Sequence, residues 1–204
     1  MAILSLVSGI MEHPAVYLAY QALVGGIHAR HKTLKEYSGF RPGMVVVDIG
    51  CGPGYPVRWL PGADYHGFDI SPAYIAYARR RYGDRGKFYC DLFSPKYLPQ
   101  VPPADIVILM GVVHHLDDDT TVETFRLARS AMKPDAVLIA MELAYVPGQS
   151  KVAKFLLDND RGEHVRLEKE YVRLANRVFS RVESEIREDL FYIPYTQAVL
   201  RCRP

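Results

Sequence analysis

The sequence predicts an α/β fold with helices on both faces of its sheet, and three observations support this. First, the apolar, β-branched run Val45–Ile49 predicts a buried strand, and glycines follow it at positions 50, 52 and 54. Second, predicted strands and helices alternate along the chain from that point, which is typical of α/β proteins. Third, two later predicted strands end in an acid, Asp69 and Asp91. Such acids lie at the sheet edge where ligands bind in open α/β folds.

Composition limits the class of protein. The chain has 204 residues, 49% hydrophobic and 24% charged, as expected of one large globular domain. The net charge of +2 gives no strong attraction to nucleic acid. The three cysteines, Cys51, Cys90 and Cys202, form neither a disulfide framework nor a zinc-binding spacing. We therefore predict no metal and a reducing, cytoplasmic location.

Helices are predicted before the first strand. The apolar residues 1–10 are too few for a membrane span and lack the basic start of a signal peptide, so we expect a helix that packs on the domain. Two more helices are predicted at Pro14–Val24 and Ile27–Tyr37. Tyr17 and Tyr20 share a face of the former, whereas the latter is basic, and we assign its charges to a solvated face.

The loop after the first strand indicates which nucleotide binds. Asp48 precedes glycines spaced G-x-G-x-G, whereas the dinucleotide fingerprint G-x-G-x-x-G would need glycine where Tyr55 stands. A carboxylate at this strand end would repel a pyrophosphate but attract an ammonium group. S-adenosylmethionine carries an ammonium and no phosphate. A helix is expected to follow at once, with Pro56 in its first turn.

These residues resemble motif I of the class I S-adenosylmethionine-dependent methyltransferases. The run D-I-V-x-x-x-x-V-x-H-H-L at residues 105–116 is similar to the fourth-strand motif of the small-molecule enzymes in that family. The Asn-Pro-Pro-Tyr type signature of amino and DNA methyltransferases is absent, so no DNA substrate is expected. The resemblance covers residues 44–204. It implies a Rossmann-like seven-stranded sheet of order 3-2-1-4-5-7-6, with the last strand antiparallel and N-terminal cap helices.

The resemblance also implies a division of the chain, which we predict to be a single methyltransferase domain over residues 1–204. Its expected parts are the cap helices at 1–40, the cofactor-binding core at 44–143, a lid or substrate insertion at 144–180 and a terminal β-hairpin at 181–204.

Cofactor contacts are assigned at successive strand ends. The predicted strand Tyr65–Asp69 ends 21 residues after Asp48, the separation at which an acid accepts hydrogen bonds from both ribose hydroxyls. In the resembled family an acid at the position of Asp91, after a third strand, accepts from the adenine amino group; capping of a turn is the competing role. The predicted cofactor-binding residues are Asp48, Gly50, Cys51, Gly52, Gly54, Asp69, Ile70, Asp91, Leu92 and Gly111.

The later elements are predicted with less detail. A strand over Ala104–Val113 is followed by a helix, and a turn at Lys133–Asp135 leads into a strand at Ala136–Glu142. A polar loop, Asp158–Arg166, lies between helical pieces at 152–157 and 168–179. It is a candidate substrate lid, because an insertion after the fifth strand lies beyond the carboxyl ends of the strands. A solvent-exposed loop of mutually paired Asp and Arg residues is the alternative.

Catalytic residues are harder to identify than cofactor residues, because methyl transfer mainly requires alignment of the reacting groups. A base is needed only for a protonated acceptor, and His114 and His115 are the candidates, since they follow the strand under the cofactor. One of the two is expected only to pack or to bond the backbone. Weaker base candidates are Glu142, Tyr145, Tyr192 and Tyr195, and candidate substrate residues are Tyr17, Tyr20, Tyr145, Arg161, His164 and Tyr195.

The sequence thus predicts methyl transfer from S-adenosylmethionine to oxygen, nitrogen or carbon of a small molecule, with S-adenosylhomocysteine as product. RNA or protein methylation, with the basic segment His28–Lys35 as the docking face, is an alternative. A non-catalytic S-adenosylmethionine-binding protein is another, although all three strand-end acids are present. A nicotinamide oxidoreductase is disfavoured by Tyr55. The oligomeric state is not predicted.

Overall fold

One mixed sheet organises the chain, and the computed structural model describes residues 13–159 and 162–204. Its strands are β1 (Val45–Ile49), β2 (Asp64–Asp69), β3 (Lys87–Cys90), β4 (Ala104–Met110), β5 (Met132–Tyr145), β6 (Arg166–Leu167), β7 (Arg181–Arg187) and β8 (Gln197–Arg203). Their order is β3-β2-β1-β4-β5-β8-β7, and the two-residue β6 pairs with β5. β8 is antiparallel to both of its neighbours. The predicted order is confirmed, with the last two strand numbers raised by one because of β6.

Helices connect the strands. They are α1 (Pro14–Val24), α2 (Gly26–Tyr37), α3 (Pro72–Tyr82), α4 (Asp118–Ser130), α5 (Lys151–Asp158) and α6 (Glu168–Ala175). The starts of three helices are capped by side chains: Ser71, Asp117 and Ser150 each accept a hydrogen bond from a backbone N–H in the first turn. No helix within the described ranges has the length and apolar character needed to cross a membrane.

The core lies on both faces of the sheet, because neighbouring residues of each strand point to opposite faces. Val47 and Leu109 belong to one buried apolar cluster, and Val46 and Ile108 belong to the other. β1 and β4 are therefore buried on both sides, which explains why their sequences are continuously apolar rather than alternating.

The segment after the glycine loop differs from its prediction. A 3-10 helix, Tyr55–Trp59, replaces the expected α-helix, although Pro56 does lie in its first turn. Pro61 and Gly62 follow almost immediately, and Gly62 has a φ of +77°, so the segment turns into β2 before a second helical turn can form.

The prediction of a turn at Lys133–Asp135 is also wrong, because these residues belong to β5. Ala104 pairs with Met132 and Ile106 with Val137, so the strand bulges where four residues oppose Asp105 alone. The Lys133 ammonium bonds both carboxylate oxygens of Asp105, at 2.8 and 2.9 Å, which holds the bulge on the sheet.

Two further elements end earlier than the sequence predicts, and one predicted helix cannot be compared with the structure. β4 ends at Met110 rather than Val113, because Gly111 takes a φ of +76° that a continuing strand does not have. The helix predicted over 168–179 ends at Ala175. The helix predicted over residues 1–10 lies outside the described residues.

Candidate active site

The glycine loop closes over the ends of β1 and β2. The N–H groups of Gly50 and Cys51 donate to the carbonyl of Phe68, at 2.8 and 3.0 Å. Gly50, Gly52 and Gly54 have φ values of +77°, +55° and +73°. A Cβ on Gly50 would lie 2.4 Å from Val112 Cγ2, and one on Gly54 would lie 2.5 Å from the Phe88 ring. Positive φ therefore favours glycine at all three positions, and close packing also excludes a Cβ at positions 50 and 54.

Asp69 ties this loop to the next helix. One carboxylate oxygen accepts from the N–H of Gly52 at 2.9 Å, and the other accepts from the N–H of Ser71 at 2.8 Å. Burial raises the pKa of Asp69, and the two backbone donors oppose that rise. The carboxylate thus lies beside the loop, at the end of β2, where the sequence predicts the ribose contact.

Asp91 and two apolar residues lie at the next strand ends. Asp91 accepts from the Lys96 ammonium at 2.5 Å and from the Tyr97 hydroxyl at 2.9 Å. The hydrogen bond from Lys96 lowers the pKa of Asp91. Ile70 and Leu92, which follow β2 and β3, are 66% and 67% exposed despite being large and apolar. Exposed aliphatic side chains beside a polar strand end suit the faces of a flat, partly apolar ring.

Asp48 is buried beneath the loop, only 3% exposed. The Tyr65 hydroxyl donates to its carboxylate at 2.5 Å. Burial raises the pKa of Asp48 to about 7, although the Tyr65 hydrogen bond and the Arg30 charge both act to lower it. The side chain faces a pocket lined by Tyr17, Arg30, Gly50, Tyr55 and Met110, among others.

The guanidinium of Arg30 is the main feature of this pocket that the sequence analysis missed. It donates to the Gln21 side chain at 2.9 Å and to the carbonyl of Met110 at 3.3 Å, and it lies 5.8 Å from the Tyr55 ring centre. The solvated face assigned to this helix is therefore wrong for Arg30. No signal in the sequence indicated this, because Arg30 stands in a basic run and the full burial of its neighbours Ala29 and Thr33 is seen only in the structure.

Other basic side chains of α2 also make contacts within the chain. The Lys32 ammonium pairs with Asp189 at 2.5 Å. His31 stacks on Trp59 with ring centres 4.8 Å apart, and His28 lies 5.7 Å from the ring of Tyr192. Several side chains of the run His28–Lys35 are thus engaged in contacts within the domain.

Replacing Asp48 by asparagine is expected to stabilise the unliganded protein at about pH 8, by up to about 4 kcal/mol. The folded state holds the Asp48 proton up to about pH 7, whereas the unfolded state releases it near the ordinary value of 3.8. Stability is therefore lost as the pH rises through this range, and asparagine, which cannot ionise, avoids that loss. Urea unfolding at about pH 5 and 8 measures the effect.

Asp64→Asn is the control, because Asp64 lies at the opposite end of β2 and its pKa is lowered rather than raised, chiefly by the His66 hydrogen bond against the opposing effect of burial. Equal stability changes in the two variants at about pH 8 would contradict the role of Asp48 burial.

Beyond β4, the buried Glu142 of β5 holds the segment that contains His114. One carboxylate oxygen accepts from the N–H groups of Val112 and Val113, at 3.1 Å each. The other lies 3.2 Å from the backbone nitrogen of His114 and 2.5 Å from its Nδ1. Both oxygens of this carboxylate accept from backbone N–H groups, so they act as acceptors toward the ring as well, and Nδ1 is the ring nitrogen that carries the proton. His115 is exposed, with its ring centre 4.2 Å from that of His114.

The segment expected to be a polar lid is partly anchored. The N–H of His164 donates to the carbonyl of His114 at 2.9 Å. Arg166 is 8% exposed and belongs to β6, so the solvent-exposed alternative is wrong for this residue. Arg161, a candidate substrate residue, lies outside the described residues.

Of the tyrosine candidates, only Tyr17 lines the pocket with Asp48. Tyr20 is partly exposed on α1. The Tyr145 hydroxyl donates to Asp158 at 2.8 Å. Tyr195 is buried in a separate apolar cluster with Leu143 and Leu157, and Tyr192 is exposed. The sequence pattern could not separate these cases, because aromatic residues serve packing and binding alike.

Comparison with known proteins agrees with this geometry. A family profile described as "Methyltransferase domain" matches residues 47–138, from β1 into β5. The acetylserotonin O-methyltransferase of Mus musculus is 30% identical over 181 residues, which are 79% of this chain and 44% of that enzyme. This chain therefore spans less than half the length of that relative.

Solved structures share the fold. The pyocyanin biosynthetic protein PhzM matches with a TM-score of 0.72 and 20% identity over 93% of this chain and 58% of its own. Human N-acetylserotonin methyltransferase, solved in complex with SAM (S-adenosylmethionine), matches with a TM-score of 0.67 and 16% identity over 97% and 58% of the two chains. At these identities the likeness establishes the fold.

Proposed function

We propose that this chain, a member of the class I S-adenosylmethionine-dependent methyltransferases, transfers the methyl group of its cofactor to a hydroxyl group of a small molecule. The observation that favours a hydroxyl acceptor is the buried Glu142–His114 pair, whose side chains are hydrogen-bonded at 2.5 Å and which would provide a base. A base is needed to accept the proton of a hydroxyl acceptor, whereas a neutral amine can attack before it loses its proton.

Four features of the site fit S-adenosylmethionine. Asp69 would accept from the ribose hydroxyls, and the exposed Ile70 and Leu92 would cover the faces of the adenine ring. Asp91 lies at the adenine edge in the same proposal, with its carboxylate already oriented by Lys96. The glycine loop supplies close backbone approach, because a side chain is excluded at positions 50 and 54.

A fifth feature of the site is a pair of opposite charges that fits the amino-acid end of the cofactor. Asp48 and Arg30 face one pocket, and each charge affects the other. An α-amino acid carries an ammonium and a carboxylate two bonds apart, so a carboxylate and a guanidinium in one pocket match it. We assign the ammonium to Asp48 and the carboxylate to Arg30, whose planar fork suits a carboxylate.

Replacing Arg30 by methionine is expected to weaken S-adenosylhomocysteine binding about 10- to 100-fold, because a charge-assisted contact to the carboxylate is lost. Binding of 5′-methylthioadenosine, which has the same nucleoside but no amino-acid group, should change little. Calorimetry with the two ligands measures this difference directly.

Lys35→Met is the matched control, since Lys35 is an exposed cation on the same helix. If Arg30→Met weakened both ligands equally, Arg30 would serve the structure of the pocket and not the carboxylate.

In the proposed reaction, His114 receives the acceptor's proton. Because Glu142 fixes the proton on Nδ1, Nε2 is the ring nitrogen that acts as the base, and the glutamate stabilises the resulting imidazolium. S-adenosylmethionine, when bound, supplies an electrophilic methyl group whose leaving group is a neutral thioether. The chain therefore needs no acid for the leaving group, and its task is to hold the acceptor in line and exclude water.

A labelled-methyl assay tests this function. The purified chain is incubated with S-adenosylmethionine carrying a tritiated methyl group, and with pools of phenols and alcohols, of carboxylic acids, and of total RNA. We expect product in the hydroxyl pool that resists mild alkali, as methyl ethers do and methyl esters do not. Label only in alkali-labile esters, label only in ribonuclease-sensitive RNA, or no label despite cofactor binding would each refute the proposal.

A further inference from the structure

The turn between β4 and α4 that contains His114, Gly111–Leu116, is held by a buried charge on each of two sides. We infer that Arg166 is a positioning residue, which acts through this turn to hold His114 in the orientation its base function needs. The inference rests on the proposed function, because it assigns Arg166 a role only through His114.

On one side, the Glu142 carboxylate accepts hydrogen bonds from the N–H groups of the turn. It accepts from three consecutive residues, Val112, Val113 and His114, and in addition from the His114 ring. This fixes the ring through Nδ1. The carbonyl groups of the same turn point elsewhere and need their own partners.

On the other side, the Arg166 guanidinium donates hydrogen bonds to carbonyl groups of the turn. Nη1 donates to the carbonyl of Val113 at 3.2 Å, and Nη2 donates to the carbonyl of Leu116 at 2.6 Å. These two acceptors flank the histidine pair in the sequence. One planar cation therefore spans the part of the turn that contains His114 and His115.

The guanidinium is itself fixed in place. Nε donates to Asp118 at 2.9 Å, and Nη1 also donates to the carbonyl of His164 at 2.9 Å. Its carbon lies 5.7 Å from the centre of the Tyr171 ring, and the hydroxyl of Tyr171 donates to the carbonyl of Leu143. The guanidinium charge of Arg166 is thus buried among hydrogen-bond acceptors and beside one aromatic ring. This environment suits arginine, whose planar guanidinium holds its donors in fixed directions.

Lysine cannot reproduce this arrangement. Its ammonium is a single point with three donors, whereas the guanidinium makes four hydrogen bonds from three nitrogens to acceptors that lie on different segments. Arg166→Lys keeps the positive charge but loses the bridge between the carbonyl groups of Val113 and Leu116. We therefore expect the turn to loosen while the cofactor-binding loops stay intact, since none of these four hydrogen bonds involves the glycine loop or Asp69.

Nuclear magnetic resonance of the ¹⁵N-labelled full chain tests this without knowledge of the methyl acceptor. In the wild type at about pH 7.5, His114 should show one tautomer, with the proton on Nδ1 and slow exchange of that proton. In Arg166→Lys we expect a mixture of tautomers and at least about tenfold faster exchange of the 113–116 amide protons. Calorimetry should show S-adenosylhomocysteine affinity within about twofold of wild type.

Arg173→Gln is the matched control, because Arg173 bonds the other oxygen of Asp118 from an exposed position and does not reach the turn. It should leave the His114 signals unchanged. Arg166→Gln, which buries no charge, replaces Arg166→Lys if the latter fails to fold.

Three results would overturn the inference: an unchanged His114 tautomer in a folded Arg166 variant, the same change in Arg173→Gln, or failure of both Arg166 variants to fold. A wild-type chain that shows the single His114 tautomer but transfers no methyl group to any pool would refute the proposed function instead. The two failures are therefore distinguishable.

Discussion

Replacing His114 by glutamine is expected to lower kcat for methyl transfer about 10²- to 10⁴-fold, the usual contribution of a general base. The reason is that glutamine can keep a hydrogen bond to Glu142 but cannot accept the acceptor's proton. Initial rates with the acceptor identified by the labelled-methyl assay measure the loss. S-adenosylhomocysteine binding should stay within about twofold of wild type, because the loss concerns the proton and not the cofactor.

His115→Gln is the matched control for this experiment. His115 is exposed and directly adjacent, so the substitution makes the same chemical change one residue away. We expect a loss of less than about threefold in kcat from this change, as for a surface substitution. If His115→Gln cost as much as His114→Gln, or more, the base would be assigned to the wrong histidine.

Replacing Asp69 by alanine is expected to weaken S-adenosylhomocysteine binding about 100-fold, which corresponds to the loss of about 3 kcal/mol from charge-assisted hydrogen bonds to the ribose. The same substitution frees the N–H groups of Gly52 and Ser71, which Asp69 now holds. Loosening of the glycine loop therefore adds to the loss. Calorimetry measures the affinity, and thermal unfolding of the unliganded chain reports the loosening separately.

Two further variants refine this test. Asp69→Asn keeps one acceptor oxygen and should cost about tenfold, between wild type and alanine. Asp64→Ala, at the other end of β2, should leave the affinity unchanged. Affinity of Asp69→Ala within about threefold of wild type would show that the ribose contact lies elsewhere.

Elements with strong periodicity or unusual glycine spacing were predictable from sequence. The continuous apolar runs of β1 and β4 and the acids at the ends of β2 and β3 lie where expected, since strand burial and backbone geometry are local properties of the sequence. Element ends were less predictable. The 3-10 helix at Tyr55–Trp59 and the bulge in β5 depend on how much chain remains before the next paired strand.

The site residues divide in the same way. Asp48, Asp69 and the glycines could be proposed from spacing, because each stands at a fixed distance from a strand end. Arg30 could not, since a basic residue on a helix faces solvent in most contexts, and only the tertiary structure brings its guanidinium to the carbonyl of Met110 at the end of β4. The sequence also left the two histidines equivalent, whereas the structure separates them by the contact with Glu142.

The sequence by itself determined the α/β fold and indicated the cofactor and the strand ends proposed to bind it, because strand burial, glycine conformation and residue spacing act over short stretches of chain. Only the tertiary structure decided which charges meet. Asp48 and Arg30 lie 18 residues apart, and Glu142 and Arg166 approach the His114 turn from elements 28 and 52 residues away from His114. Such pairings depend on the packing of distant elements, which determines whether a charged side chain is buried beside a partner or left in solvent.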